Sequence, residues 1–184
     1  ADLALAVQSL GRWAPDDGRG AREVIHLDPV ETQMVIELID DSYNANPTSM
    51  EAALDVLAIG RIINNTGTIA EGRRIAFLGD MKELGSQAVS MHGDLACLDV
   101  METIDKIYCI GPLMRHLYEA LPLEKRGLWT ETSAEMVTNI RRKLKSGDVV
   151  LVKGSLSMKL ALVVDAIRKM SHPVSAGTKL QDKV

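Results

Sequence analysis

An α/β fold, Rossmann-like and doubly wound around a mostly parallel sheet, is what this sequence predicts, and three observations carry the expectation. Short runs rich in Val, Ile and Leu alternate with stretches whose apolar residues recur at helical spacing. Several of those runs, 74–78, 106–110 and 148–152, are nearly continuous, as strands buried on both faces require. Helices joining such strands pack back onto the sheet with one hand, which covers both faces.

The first residues, with Leu3, Leu5, Val7 and Leu10 before Gly11, read as the last turns of a helix. The chain has no initial Met and starts inside that helix, so it is expected to be cut from something larger. A turn-rich stretch with Pro15, Asp16, Asp17 and Gly18 follows. Strands at 23–27 and 33–39, separated by Asp28 and Pro29, read as a hairpin. Residues 40–47 are polar and show no period. Met50, Ala53, Leu54, Leu57 and Ile62 then mark a helix, with Thr48 and Glu51 as its capping box. Strand 74–78 ends at Gly79, and Met91, Leu95 and Leu98 share one helical face. Strand 106–110 closes at Gly111 and Pro112, and a short helix runs to about Ala120 before a weak strand at 128–130. Thr132 and Glu135 cap a helix expected through Leu144. The clearest strand is 148–152; a last helix spans 157–170, and the polar tail 171–184 is expected to be disordered.

With 184 residues the chain can hold one full domain and a fragment of another. A net charge of -4 argues against a nucleic-acid-binding face. No apolar run approaches the length that spans a bilayer, so no membrane insertion is expected. Cys97 and Cys109 show no metal-ligand spacing and suit a reducing cytoplasm.

In open α/β sheets, ligands bind beyond the carboxyl ends of the strands. Three clusters fall there: Gly79 to Gly85 with Asp80 and Lys82; Gly111 and Pro112, with nothing chemical attached; and Lys153 to Ser157 with Ser155. Two lysines beside helix starts suit anionic groups, although each alone could be a solvated loop lysine. Asp40 and Asp41 stand together at the end of an apolar strand, where adjacent carboxylates repel. An arginine, a ribose or a metal is expected to offset that repulsion.

Asp41 to Met50, DSYNANPTSM, together with GDMKELG from Gly79, KGSLSM from Lys153 and the turn Gly18-Arg19-Gly20, resembles the Mur ligase family in its D-alanyl-D-alanine-adding branch. The four segments occur in the family's order, and His92 falls where that family has a histidine. The resemblance implies a three-domain enzyme that uses ATP and Mg2+ to activate the carboxylate of UDP-N-acetylmuramoyl-tripeptide as an acyl phosphate, which D-alanyl-D-alanine then attacks. It implies that 1–39 ends the central ATPase domain, 40–47 is a hinge touching ATP, and 48–170 is the C-terminal domain. No G-x-x-x-x-G-K-[ST] loop is present, so most of the ATP site and all metal ligands would lie upstream. By position, Arg19 would contact phosphates, Asp41 the ribose and Asn44 the adenine, while Lys82 would be catalytic. Asp80, Lys153 and Ser155 would line the same cleft. His92 reads as a packed histidine, and the protein as a cytoplasmic monomer. Leu156 departs from the family, which commonly has arginine there.

Three other readings compete. A sibling ligase of the Mur or folate-polyglutamate type is disfavoured by GDMKELG and by the NAN segment. A non-catalytic nucleotide- or anion-binding module fits the fold but leaves Asp41 and Asn44 unexplained, and no G-x-G-x-x-G follows the first strand of the α/β part. A purely structural interaction domain has no apolar surface evidently left over for a partner.

Overall fold

The computed structural model describes residues 16–67, 69 and 71–172; the helix expected before Gly11 and the tail beyond His172 lie outside the described residues. Six strands form one sheet: β1 (Ala21–His26), β2 (Val35–Asp41), β3 (Arg74–Gly79), β4 (Lys106–Ile110), β5 (Arg126–Thr130) and β6 (Val149–Lys153). Their order is β1-β2-β6-β3-β4-β5. Only β1, antiparallel to β2, breaks the parallel arrangement.

Among the described residues the α-helices are α1 (Pro47–Ala58), α2 (Ala88–Gly93), α3 (Met114–Ala120), α4 (Ser133–Met136) and α5 (Ala161–Arg168). Alternation along each strand sends successive side chains into two separate cores. Ile39, Ala76, Leu78, Cys109 and Leu151 meet Met50, Leu54 and Leu57 of α1 and Leu117 of α3. Ile36, Leu38, Phe77, Val150 and Val152 meet Met136, Val163, Val164 and Ile167 on the other face. The sheet is therefore covered on both sides, as a Rossmann-like fold demands. Strand β6 is buried at all five positions, which accounts for its uninterrupted apolar run.

The hairpin expected to close a preceding domain is part of this sheet. Strand β2 pairs in parallel with β6 from Glu37↔Val149 to Asp41↔Lys153. Its side chains enter both cores, so a boundary at Ile39 would cut through one hydrophobic unit.

Four helices differ from their sequence outlines; the last, expected over 157–170, is a 3₁₀ turn (Leu156–Met158) followed by α5, because Lys159 takes a left-handed conformation (φ 55°). Helix α1 is capped not by Thr48 and Glu51 but by Asn46, whose side chain accepts from Ser49 N–H while Ser49 Oγ accepts from Asn46 N–H. Pro47 occupies the first turn, where its missing N–H costs nothing. The 91–98 stretch is short α2 followed by 3₁₀ turns, Asp94–Cys97 and Asp99–Thr103. The helix expected through Leu144 stops after α4, because Asn139 takes a left-handed conformation (φ 58°). Thr132 does cap it, with Oγ1 accepting from Glu135 N–H at 3.3 Å.

Candidate functional site

Strand order fixes where a crevice forms. The chain leaves β2 and β3 over the α1 face, whereas it leaves β6 over the α5 face. The carboxyl end of β6 is therefore a switch point, flanked by the ends of β2 and β3, and that is where ligands bind in open α/β sheets. Gly154 makes the exit possible: a Cβ there would lie 2.5 Å from Leu160 Cδ1 and 2.9 Å from Gly79 Cα.

On the β2 side, Lys153 is 2% exposed, and its Nζ donates to Asp41 Oδ2 at 2.6 Å and to the Asn44 carbonyl at 3.0 Å. Asp41 and Lys153 are register partners on neighbouring strands. Asn44 is exposed and turns its Oδ1 to accept from Ala45 N–H, which shapes the 41–46 segment. The Gly18-Arg19-Gly20 turn lies alongside: Gly20 N–H donates to Asp40 O, and Tyr43 N–H to Gly18 O. The exposed Arg19 guanidinium stacks 4.3 Å over the Tyr43 ring. Arg19, Asp41 and Asn44 thus belong to one continuous edge.

The repulsion between Asp40 and Asp41 is answered inside the fold. Neighbours on a strand face opposite ways, so Asp41 meets Lys153 while Asp40 meets Arg168 of α5 at 3.2 Å. Asp40 Oδ1 also accepts from Ser42 Oγ at 2.6 Å. Arg168 grips Glu23 of β1 through both carboxylate oxygens, and this holds the Glu23 carboxyl below the usual carboxylate range. Sequence reasoning missed Arg168, since nothing local links the last helix to β2.

On the β3 side, Asp80 is fully buried. Its Oδ1 accepts from Leu113 and Met114 N–H at the start of α3, and its Oδ2 from Lys82 Nζ at 3.0 Å. Gly111, which seemed to carry no chemistry, leaves the space for that carboxylate: a Cβ there would sit 2.4 Å from Asp80 Oδ1. Ser155 N–H donates to the Asp80 carbonyl, and Ser155 Oγ accepts from Lys82 N–H at 3.0 Å. Lys82 keeps 42% of its side chain exposed and is the freer of the two lysines. His92 is fully buried: Nε2 accepts from Met81 N–H at 2.9 Å, and Nδ1 lies 2.6 Å from the Ala88 carbonyl. Those partners define a neutral ring protonated at Nδ1, and burial pushes its pKa down.

Lys153 and Ser155, two residues apart at one strand end, join the two halves of this edge. Beside it, Asn46, Ser49, Ala52, Leu84 and Met91 line a groove of about 640 Å3 between the start of α1 and the loop carrying Lys82. Leu156 is 62% exposed and borders a second cavity, of about 260 Å3, with Tyr43 and Lys159. Among the described residues, no three His, Cys, Asp or Glu side chains gather to hold a metal ion. No helix among them is long and apolar enough to cross a membrane.

The fold is a doubly wound sheet that carries an acid, an amide and two lysines at its switch point. The chain belongs to the Mur ligase family: the Mur ligase, glutamate ligase domain matches residues 27–156. Among curated relatives it is similar to the UDP-N-acetylmuramoyl-tripeptide–D-alanyl-D-alanine ligase of Rickettsia prowazekii, 26% identical over 89% of this chain and 33% of that protein. The enzyme of the same name from Mycobacterium leprae is 32% identical over 72% of this chain and 28% of its own length. A crystal structure of MurF from Acinetobacter baumannii superposes with a TM-score of 0.69 at 27% identity, covering 91% of this chain and 34% of that one. MurF ligase from Thermotoga maritima in complex with ADP shares the fold, with a TM-score of 0.63 at 21% identity over 90% of this chain and 36% of that one. The chain spans about a third of the length of these relatives.

Proposed function

We propose that this chain is the C-terminal part of a cytoplasmic, ATP-dependent amide ligase that joins D-alanyl-D-alanine to UDP-N-acetylmuramoyl-tripeptide through an acyl phosphate, and that the protein works as a monomer. The observation that carries the proposal is the switch-point edge, where Asp41 with Asn44, Lys153, and Lys82, from three separate sequence segments, stand at the carboxyl ends of the neighbouring strands β2, β6 and β3. In this proposal the sheet domain begins with β1, and the phosphate-binding loop and metal ligands lie in the preceding domain.

ATP fits the donor set at the β2 end. Asp41 retains exposed carboxylate to accept from ribose hydroxyls, Asn44 lies exposed for the adenine, and Arg19 offers a permanently charged fork for phosphate. Lys153 is buried against Asp41 and the Asn44 carbonyl, and in this reading its role is to fix the nucleotide-contacting segment. Lys82, partly exposed and paired through Nζ with Asp80, neutralises developing charge on the acyl phosphate or meets the dipeptide carboxylate. Asp80 and Ser155 hold the Lys82 loop rather than the substrate.

Hydrogen bonds to charged groups contribute about 1.5–3 kcal/mol. Lys153→Met in the full-length enzyme is therefore expected to raise KM for ATP by roughly tenfold, with a smaller change in kcat. An unchanged KM would remove Lys153 from the nucleotide segment.

The whole proposal is tested by assaying both forms of the protein. The full-length enzyme should form the amide bond with stoichiometric ATP hydrolysis, while this chain alone should bind ATP weakly and turn nothing over. Synthesis by the isolated chain would refute the division of labour. A full-length protein that ignores D-alanyl-D-alanine would refute the substrate.

A further inference from the structure

We propose that His92 is a positioning residue that sets the height of the Lys82 loop through its unprotonated Nε2, so that protonating this buried ring slackens the loop and lowers turnover. The inference deepens the function proposed above and rests on it. Three features of the geometry support it. Hydrogen bonds fix the start of the loop from Asp80 to Leu84: Asp80 is held from β4, α3 and Ser155 N–H, Met81 N–H by His92 Nε2 and Lys82 N–H by Ser155 Oγ, while the Met81 side chain is buried in the core. Glu83 and Gly85 both adopt positive φ, 64° and 58°, so the loop is a tight turn whose path depends on those anchors. The imidazole is fully buried, and both nitrogens are committed, Nδ1–H to the Ala88 carbonyl and Nε2 to Met81. An imidazolium has no acceptor, so it would set its own N–H against the Met81 N–H.

The charged and titratable groups around the ring are Asp80 and Lys82 on the loop and His116 on α3. Burial, the largest influence, lowers the His92 pKa; Asp80 opposes it, while Lys82 and His116 add to it. The ring therefore loses its proton at lower pH than an unfolded-chain histidine, which is half protonated near pH 6.5. Its contribution to stability is complete above that value and is lost as pH falls through the lowered folded-state pKa. Turnover should follow the same acidic limb.

The experiment uses the full-length enzyme with His92→Leu, which removes both bonds, and His92→Gln, whose Oε1 can accept from Met81 N–H and does not titrate. Leu should lower kcat by about tenfold or more while KM for ATP stays within about twofold. Hydrogen exchange at the Met81 amide should accelerate in the same variant. Gln should restore most of kcat and of Met81 protection, and its kcat–pH profile should lack the acidic limb of the wild type. A Gln variant as impaired as Leu, or one that keeps the wild-type acidic limb, overturns the proposal. If the Leu variant does not fold, the Gln profile alone decides. Met81 exchange reads the hydrogen bond without any turnover. A protein that shows the exchange pattern but makes no amide bond therefore fails on the proposed function and not on the contact.

Discussion

In the full-length enzyme, Lys82→Ala is expected to reduce kcat by about two to three orders of magnitude, the effect of deleting one preorganised donor to developing charge. KM for ATP should change little, because the β2 end of the edge does not touch the Lys82 ammonium. The fold should survive, since Nζ makes one side-chain bond, to Asp80, and the loop is held by main-chain contacts to Ser155 and His92. Steady-state kinetics with ATP and dipeptide varied separately, alongside a thermal melt, would check all three points. Near-normal kcat would take Lys82 out of the chemistry. Arginine is no substitute here: its wider planar fork cannot take the place of a compact ammonium on a turn this tight.

The largest effect on stability is expected at Asp80. Asp80→Ala removes an acceptor from two amides at the start of α3, that of Leu113, part-buried, and that of Met114, buried. Each buried donor left unsatisfied costs about 1–3 kcal/mol, so the loss should reach roughly 2–6 kcal/mol in denaturant unfolding. Asp80→Asn separates the two duties of this side chain. Its carbonyl oxygen can still accept both amides, while its NH2 faces Lys82 and repels it. We expect Asn to keep most of the stability and lose turnover; equal destabilisation by Ala and Asn would mean that the charge, not the cap, holds α3.

Much of this architecture was legible in the sequence. The buried strands announced themselves through apolar runs, because burial on both faces leaves no room for a polar position. Lys106–Ile110 emerged with its bounds intact, and the edges of the other strands shifted by one or two residues. Helix ends were less visible. A left-handed Asn139 or Lys159 breaks a periodic pattern without altering it, and the cap of α1 depended on Asn46 outcompeting Thr48. The membership of β1 and β2 in the sheet was invisible for another reason: the pairing of Asp41 with Lys153 spans the whole domain, and no local signal records it.

The candidate site was legible as a set of residues but not as a set of relationships. Gly79 to Gly85 and Lys153 to Ser157 could be placed at strand ends by counting elements. Burial could not be counted, and burial separates Lys153, sealed against Asp41, from Lys82, which reaches solvent. His92 was correctly read as packed, yet its two hydrogen bonds reach residues on either side of a 3₁₀ turn at Gly85–Gln87 that no periodicity reveals.

One peptide unit, between Asp40 and Asp41, ties together charge networks on opposite sides of the sheet. Arg168, outside every signature segment, therefore shares a mechanical fate with the nucleotide edge. A drift in the packing of the closing helix would tug on Asp40, tilt the strand end and displace Asp41 by the same motion. The quiet rear of the domain is in this sense a foundation wall for its working front, and a ligand or lesion on one side would be felt on the other.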